Sequence, residues 1–328
     1  MMYSLKDLKN IFINRLETEA ERIGAAEPAN LYQPVQYTLN MGGKRLRPVM
    51  TLMACDLFNG DIEAAMPVAL GIEVFHNFTL LHDDIMDKAA LRRNKLTVHK
   101  KYSENTAILS GDAMSILAFQ YLLQTNSPAF HEIAGLFTKT AIEVCKGQQL
   151  DMDYQDMLDV SIEDYLEMIR LKTAVLIACS LKAGALSGNA SAQDANRLYD
   201  FGINLGLAFQ LQDDLLDVYA DENKFGKQSG GDIVANKKTY LLLKSLELAS
   251  AAQREKLLSL ITAINLKPNE KIASVKKIYA DLNIREITTG IIRDYYMKAL
   301  AGLEGVSSEK RRKSEFLMLA QKIIKREN

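Results

Sequence analysis

Residues 76–87 read HNFTLLHDDIMD and residues 209–217 read FQLQDDLLD. Each closes a long apolar stretch with the same D-D-x-x-D spacing: Asp83, Asp84 and Asp87, then Asp213, Asp214 and Asp217. On a helix, positions i, i+1 and i+4 put two carboxylates on one face with the third close by. Their repulsion costs roughly 0.2–0.5 kcal/mol per like-charged pair, and acids near a helix C-terminus also oppose the macrodipole. A chain that does this twice, 130 positions apart (213 − 83), calls for a counter-cation. Hard divalent ions with oxygen ligands suit it, Mg²⁺ above all, because Mg²⁺ bridges one or two carboxylates to substrate phosphates. A single acidic cluster reads more readily as a solvated helix face. Two clusters flanked by Leu80, Leu81, Phe209 and Leu211 do not.

Working outward from these runs, three- and four-residue periodicity predicts helices over residues 3–24, 62–87, 105–123, 128–154, 162–187, 191–220, 237–262, 268–301 and 307–326. Pro28 and Pro34 punctuate a loop and a helix start, Pro48 opens the helix through Met50–Phe58, and Ser307 or Ser308 caps the last one. No alternating stretch of useful length predicts a strand. With six prolines, no tryptophan and no Ser/Gly-rich linker, the chain reads as one all-α domain over residues 1–328. Its chemistry is expected inside a helical bundle with a central apolar cavity.

The 328 residues are 48% hydrophobic, enough for a sizeable core, and 40 basic against 41 acidic side chains leave a net charge of −1. That balance gives no long-range attraction to nucleic acid or to an anionic membrane. Cys55, Cys145 and Cys179 are scattered without CxxC spacing, which argues for a reducing, cytoplasmic setting and against a disulfide framework. The four histidines form no HExxH pair, so zinc is not expected. Neither a signal peptide nor an uncharged apolar run of membrane-spanning length is evident.

Cations accompany the acids. Gly42-Gly43-Lys44-Arg45-Leu46-Arg47-Pro48 joins two glycines, which permit close backbone approach, to three cations within five positions. Arg forks take phosphate oxygens bidentately and Lys supplies a point charge. Arg92-Arg93 follows the first acidic cluster. Lys172-Thr173, Lys227 and the segment Gly230-Gly231-Asp232 to Lys237-Lys238-Thr239 supply the second half. Each basic group alone also fits an unliganded surface. Beside metal-binding acids they fit a diphosphate clamp, and an apolar interior fits a hydrocarbon tail. The chemistry is then ionisation of a carbon–diphosphate bond in a water-poor pocket.

At these residues the chain resembles the trans-isoprenyl diphosphate synthase (polyprenyl synthetase) family. The motifs occur in order: GGKRLRP, HNFTLLHDDIMDKAALRRN, GQQLDMDY, KTA, FQLQDDLLD and GGDIVANKKT. The resemblance covers roughly residues 35–245. It implies an all-α isoprenoid-synthase fold, a homodimer, and Mg²⁺-dependent condensation of isopentenyl diphosphate with an allylic diphosphate (dimethylallyl, geranyl or farnesyl). The metal is expected as roughly three ions once substrate is bound. Carried over by position, Asp83, Asp87 and Asp213 are metal ligands, and Asp84, Asp214 and Asp217 support them. Arg92, Lys172, Lys227 and Lys237 contact the allylic diphosphate. Lys44, Arg47, His76 and Arg93 form the isopentenyl diphosphate pocket. Thr173, Gln210 and the Lys172 backbone stabilise the allylic cation, and released diphosphate accepts the proton. Gln148 and Asp151 match a supporting motif, and His82, His99 and His131 are structural.

In this family a bulky residue shortly before the first acidic cluster blocks the tail channel, so Phe75, Phe78 and Thr79 are the candidates for setting product length. The absence of a two-residue insertion in FTLLHDDIMD resembles the farnesyl/geranylgeranyl type and implies a C15–C20 product. On an ideal wheel at about 100° per residue, however, Thr79 lies about 40° from Asp83 and Phe78 about 140° away. Phe75 and a facing helix near Met114 and Leu117 are then also candidates for the floor, and ordinary core packing of Phe78 stays open. The competing readings are a longer-chain synthase, a class I terpene cyclase, a non-catalytic partner subunit and a helical scaffold with acidic patches. A cyclase does not account for a second full D-D-x-x-D or for GGKRLRP. A partner subunit typically loses an acidic motif that this chain keeps, and a scaffold does not account for cations beside both patches.

Overall fold

Ser4 accepts the Asp7 amide while the Asp7 carboxylate accepts the Ser4 amide, a reciprocal cap that starts α1 at Leu5–Gly24. The computed structural model describes residues 3–220, 230–263 and 266–324 and is helical almost throughout. After α1 come α2 (Ala29–Leu39), α3 (Leu46–Leu57), α4 (Ile62–Met86), α5 (Val98–Lys101), α6 (Glu104–Leu122), α7 (Phe130–Asp156), α8 (Ile162–Ile169), α9 (Val175–Ser187) and α10 (Ala192–Tyr219). Further helices follow at Gly231–Val234, Tyr240–Leu248, Ala251–Thr262, Pro268–Asp281, Ile284–Glu304 and Lys310–Ile324.

The chain divides into two compact units. The first comprises Met1–Thr138, Cys179–Tyr199 and Val306–Phe316. Its centre is α4, which packs chiefly against α6 and α3. Phe12, Met50, Leu52, Met66 and Ile72 are fully buried there, each contributing about 1.5–3 kcal/mol of transfer free energy. By length and composition α4 would also cross a membrane, but 67% of its most apolar window is buried in the fold. A core helix covered on nearly every side needs that composition. The second unit comprises Lys139–Ala178, Asp200–Gly305 and Leu317–Asn328. Its core gathers Tyr165, Leu211, Leu241, Leu257, Tyr279 and Ile284.

Several expected boundaries move, each for a local reason. Pro34 lies inside α2, and Pro28 is its N-cap. α3 begins at Leu46, so Pro48 occupies its third position rather than opening it. The helix expected over 237–262 is two helices, broken where Ser250 and Gln253 make a reciprocal cap. The helix expected over 268–301 breaks at Asn283, which takes left-handed backbone at φ 53°. The last helix starts at Lys310, behind carbonyl acceptance by Glu309, while Ser308 Oγ donates to the Leu57 carbonyl. Arg312 in that helix pairs with Asp56 at 3.2 Å, both side chains 10% exposed. An antiparallel ladder of two residues a side pairs Leu91–Arg92 with Lys95–Leu96, too short to leave a period in the sequence.

Candidate active site

In the first unit, GGKRLRP turns on Gly42 at φ 87° and Gly43 at φ 126°. Gly43 answers a second constraint, because a Cβ there would lie 2.7 Å from the Arg93 guanidinium carbon. Arg93 itself sits at φ 52° next to Asn94 at φ 61°, the doubly left-handed geometry of a tight hairpin turn. Its Nη1 donates to the Gly42 carbonyl. Arg47 Nη1 lies 3.2 Å from His76 Nε2. Burial above all, then the charges of Arg47, Arg93, Arg92 and Arg45, hold that imidazole well below its ordinary range, so the neutral ring accepts from Arg47. The pocket residues read from the sequence therefore meet in two contacts, Arg47 with His76 and Arg93 with the glycine turn that leads into the exposed Lys44.

Arg45, the unremarked middle cation of that motif, is buried. Its Nη1 lies 2.5 Å from Glu73 Oε1, with side-chain exposures of 6% and 2%. Its Nη2 donates to the Leu39 carbonyl, and Asn77 Nδ2 donates to Glu73 Oε1 at 3.0 Å. It anchors the loop, while Lys44 is exposed and Arg47 half-buried.

The first acidic cluster is split by environment. Asp84 is buried, and both its oxygens accept Arg92 Nε, at 2.9 and 2.8 Å. It fixes Arg92 and has less to offer an ion directly. Asp83 is half-buried, and Asp87 is exposed at the C-cap of α4, its amide donating to the Asp83 carbonyl at 2.8 Å.

In the second unit, Lys172, Thr173, Gln210, Asp213, Asp214, Asp217 and Lys237 all line one cavity of about 300 Å³, joined by Asp151, Tyr165, Met168, Ile169, Asp232, Lys238 and Thr239. Between α8 and α9 the chain makes a π-helical turn over Arg170–Ala174, a wide turn often found at functional sites. Two glycines let helices close on it: a Cβ at Gly147 would overlap the Lys172 backbone nitrogen, and one at Gly206 would overlap Ala174 Cα. Lys172 Nζ pairs with Asp151 Oδ2 at 2.5 Å, and Lys237 with Asp232 at 3.6 Å. The Asp232 amide donates to Asp217 Oδ2 at 2.9 Å. Thr173 Oγ1 donates to Gln210 Oε1 at 3.0 Å, and Gln210 Nε2 donates to Asp214 Oδ1 at 2.9 Å. Burial, reinforced by Asp232, pushes Asp214 up to about 7. Burial likewise raises Asp232, against the opposing charge of Lys237. Lys227 lies outside the described residues.

This donor set fits Mg²⁺. Among the described residues no three His, Cys, Asp or Glu side chains converge to cage an ion unaided. Mg²⁺ does not require that: it keeps several waters and takes one or two carboxylates plus substrate phosphates. Asp213 would supply a carboxylate, with Asp217 beside it, on a cavity that Lys172, Lys237 and Lys238 also line and that would suit a phosphate.

The three residues considered for product length diverge. Phe75, 2% exposed, meets Phe78 at a tilt, 5.4 Å between centroids, and Phe137 edge-on at 5.2 Å. Phe78 meets His82 at 4.8 Å, and Phe119 meets Phe137 at 5.1 Å. Thr79 instead donates its hydroxyl back to the His76 carbonyl at 2.8 Å. Positions 75, 78 and 82 thus form one aromatic stripe on α4, continued by Phe137 and Phe119. Ring pairs at helical spacing were the readable signal. Arg45, Tyr165 and Asp232 were not singled out, and only the burial of the first two explains their roles.

The polyprenyl synthetase family model matches residues 28–282. The chain is 36% identical over 309 residues to a short chain isoprenyl diphosphate synthase of Methanothermobacter thermautotrophicus, covering 94% of each. It is 36% identical over 307 residues to a geranylgeranyl diphosphate synthase of Sulfolobus acidocaldarius, covering 92% of each. A crystal structure of a geranylgeranyl pyrophosphate synthase, 43% identical, matches it at a TM-score of 0.94 over 100% of both chains.

Proposed function

The chain belongs to the polyprenyl synthetase family, and we propose that it is a prenyl diphosphate synthase that condenses isopentenyl diphosphate with an allylic diphosphate to give a C15–C20 all-trans product. The observation that carries this reading is the second unit's cavity, where Asp213, Asp217, Lys172, Lys237, Thr173 and Gln210 meet at one diphosphate-sized space. In the reaction, the allylic C1–O bond breaks and its electron pair leaves with diphosphate. The isopentenyl double bond supplies the electrons of the new C1–C4 bond. A proton then leaves C2, with the released diphosphate as acceptor, and the product is again allylic. Asp83 and Asp87 of the first unit and Asp213 of the second would hold Mg²⁺, which would supply charge neutralisation for the leaving diphosphate. Asp84, Asp214 and Asp217 position those ligands and their partners, and the full complement is roughly three ions. Lys172, Lys237 and Arg92 bind the allylic diphosphate, with Lys227 carried over from the resemblance. Lys44, Arg47, His76 and Arg93 bind isopentenyl diphosphate, for which neutral His76 keeps Arg47 in place.

The Phe75–Phe78 stripe limits the growing tail. The two compact units are read as one synthase domain over residues 1–328. It works as a homodimer, a reading supported by Leu109 and Ile116 on α6 and Leu123 at its C-cap, which recur every seventh residue while 60%, 62% and 68% exposed. Titration calorimetry with isopentenyl diphosphate and an unreactive allylic thiolodiphosphate tests the main reading. A synthase takes up one of each per chain, in Mg²⁺-dependent fashion for the allylic partner. Uptake of the allylic analogue alone would favour a cyclase.

A further inference from the structure

Tyr165 is 1% exposed, lines the cavity, and has no part in the chemistry just described. Its hydroxyl donates to Asp214 Oδ2 at 2.5 Å. Asp214 Oδ1 accepts Gln210 Nε2 at 2.9 Å, and Gln210 Oε1 accepts Thr173 Oγ1 at 3.0 Å. The four groups form one chain with a direction. A carboxylate accepts at both oxygens, and Tyr165 holds one of them while the other is left for Gln210. Gln210 must then spend its NH₂ on Asp214 and keep its carbonyl towards Thr173. Turned round, the amide would meet Asp214 with a second oxygen and aim N–H groups at Thr173 instead. The distinction matters beside a carbon that becomes cationic, because fixed acceptor oxygens stabilise the developing charge and N–H dipoles oppose it.

We propose that Tyr165 is a positioning residue that, through Asp214, locks the Gln210 amide with its carbonyl oxygen towards the allylic carbon. The proposal rests on the reading that Gln210 and Thr173 face that carbon. Thr173, with a hydroxyl that donates or accepts, is content with either orientation, so the Asp214 carboxylate sets the amide's sense. Tyr165 acts by holding that carboxylate where it meets Gln210.

The test is a double-mutant cycle on the full chain with saturating Mg²⁺, scoring kcat, both KM values and the fraction of allylic diphosphate hydrolysed without condensation. Gln210→Leu should lower kcat; if it does not, the underlying reading of Gln210 fails, whatever Tyr165 does. Given that loss, Tyr165→Phe alone should lower kcat by about tenfold, with KM for isopentenyl diphosphate unchanged and the hydrolysed fraction raised. In the Gln210→Leu background the same Tyr165→Phe change should have no further effect. Asp214→Asn, which can turn the amide round without emptying the site, should cost more than Tyr165→Phe, and it serves if the phenylalanine variant folds poorly. A Tyr165→Phe loss of equal size in both backgrounds, or a loss confined to KM, would overturn the proposal.

Discussion

Removing the carboxylate from Glu73 should strip the GGKRLRP loop of its anchor. Arg45 and Glu73 are 6% and 2% exposed and 2.5 Å apart, and Asn77 donates to the same carboxylate oxygen. In Glu73→Leu the guanidinium keeps its contact with the Leu39 carbonyl but remains a buried charge without a counter-ion. Breaking a pair of this kind from one side costs about 3–5 kcal/mol. At about 2 °C per kcal/mol for a chain this long, the melting temperature should fall by about 6–10 °C. Replacing both members, Arg45→Met with Glu73→Leu, removes the uncompensated charge and should return stability to within about 1–2 kcal/mol of the parent. The two perturbations separate in function as well. Lys44 and Arg47 flank Arg45, which holds left-handed backbone at φ 53°, so the single variant should raise KM for isopentenyl diphosphate at a temperature where it is still folded. Thermal melts and denaturant titration of the parent, both single variants and the double, with KM at 20 °C below the lowest melt, give the answer. A single variant within about 1 kcal/mol of the parent, or a double variant no better than the worse single, would refute the argument that the pair is a closed, charge-compensated unit.

Other outcomes follow from the same geometry. His76 is held neutral well below its usual range by burial and four arginines. The unfolded chain therefore binds a proton that the folded one refuses, and stability must fall as pH drops below about 6.5, by at most about 1.4 kcal/mol per pH unit. His76→Gln should flatten that slope in denaturant titrations between pH 7 and 5.5, and an unchanged slope would contradict it. Gly147→Ala places a methyl group against the Lys172 backbone nitrogen. Overpacking there should destabilise by about 1–3 kcal/mol and lower kcat by displacing the π turn, read from melts and steady-state rates. Phe78→Ala opens the aromatic stripe and should lengthen the product seen by chromatography. The Phe75→Ala, Phe78→Ala pair should lengthen it further, whereas an unaltered chain length in both would remove the stripe as the floor.

The helices and acidic clusters were legible because periodicity and repeated D-D-x-x-D spacing are local features. So were the cavity residues Lys172, Thr173, Gln210, Asp213 and Lys237, which sit in recognisable short motifs. Breaks inside long helical runs were not, although Ser250-x-x-Gln253 carries a capping signature and Asn283 is a residue that tolerates left-handed backbone. Their signals compete with continuous apolar periodicity on both sides. Arg45 looked like one more phosphate cation, and only its distance to Glu73, 28 positions away, gives it a structural role. Arg312 is a parallel case, since its partner Asp56 lies 256 positions earlier in the chain. Tyr165 and Asp232 gain meaning from partners in other helices. The wheel argument that set Phe78 far from Asp83 was sound geometry, and the stripe through positions 75, 78 and 82 shows which face those rings cover.

The central claim is metal-dependent elongation of an allylic diphosphate, and product analysis reaches it most directly. Purified protein would be incubated with labelled isopentenyl diphosphate and dimethylallyl, geranyl or farnesyl diphosphate in turn, with Mg²⁺ or with EDTA, and chain length read by chromatography. The account predicts C15 or C20 diphosphates that disappear with EDTA and in Asp213→Asn. No elongation from any starter in the presence of Mg²⁺ would contradict it.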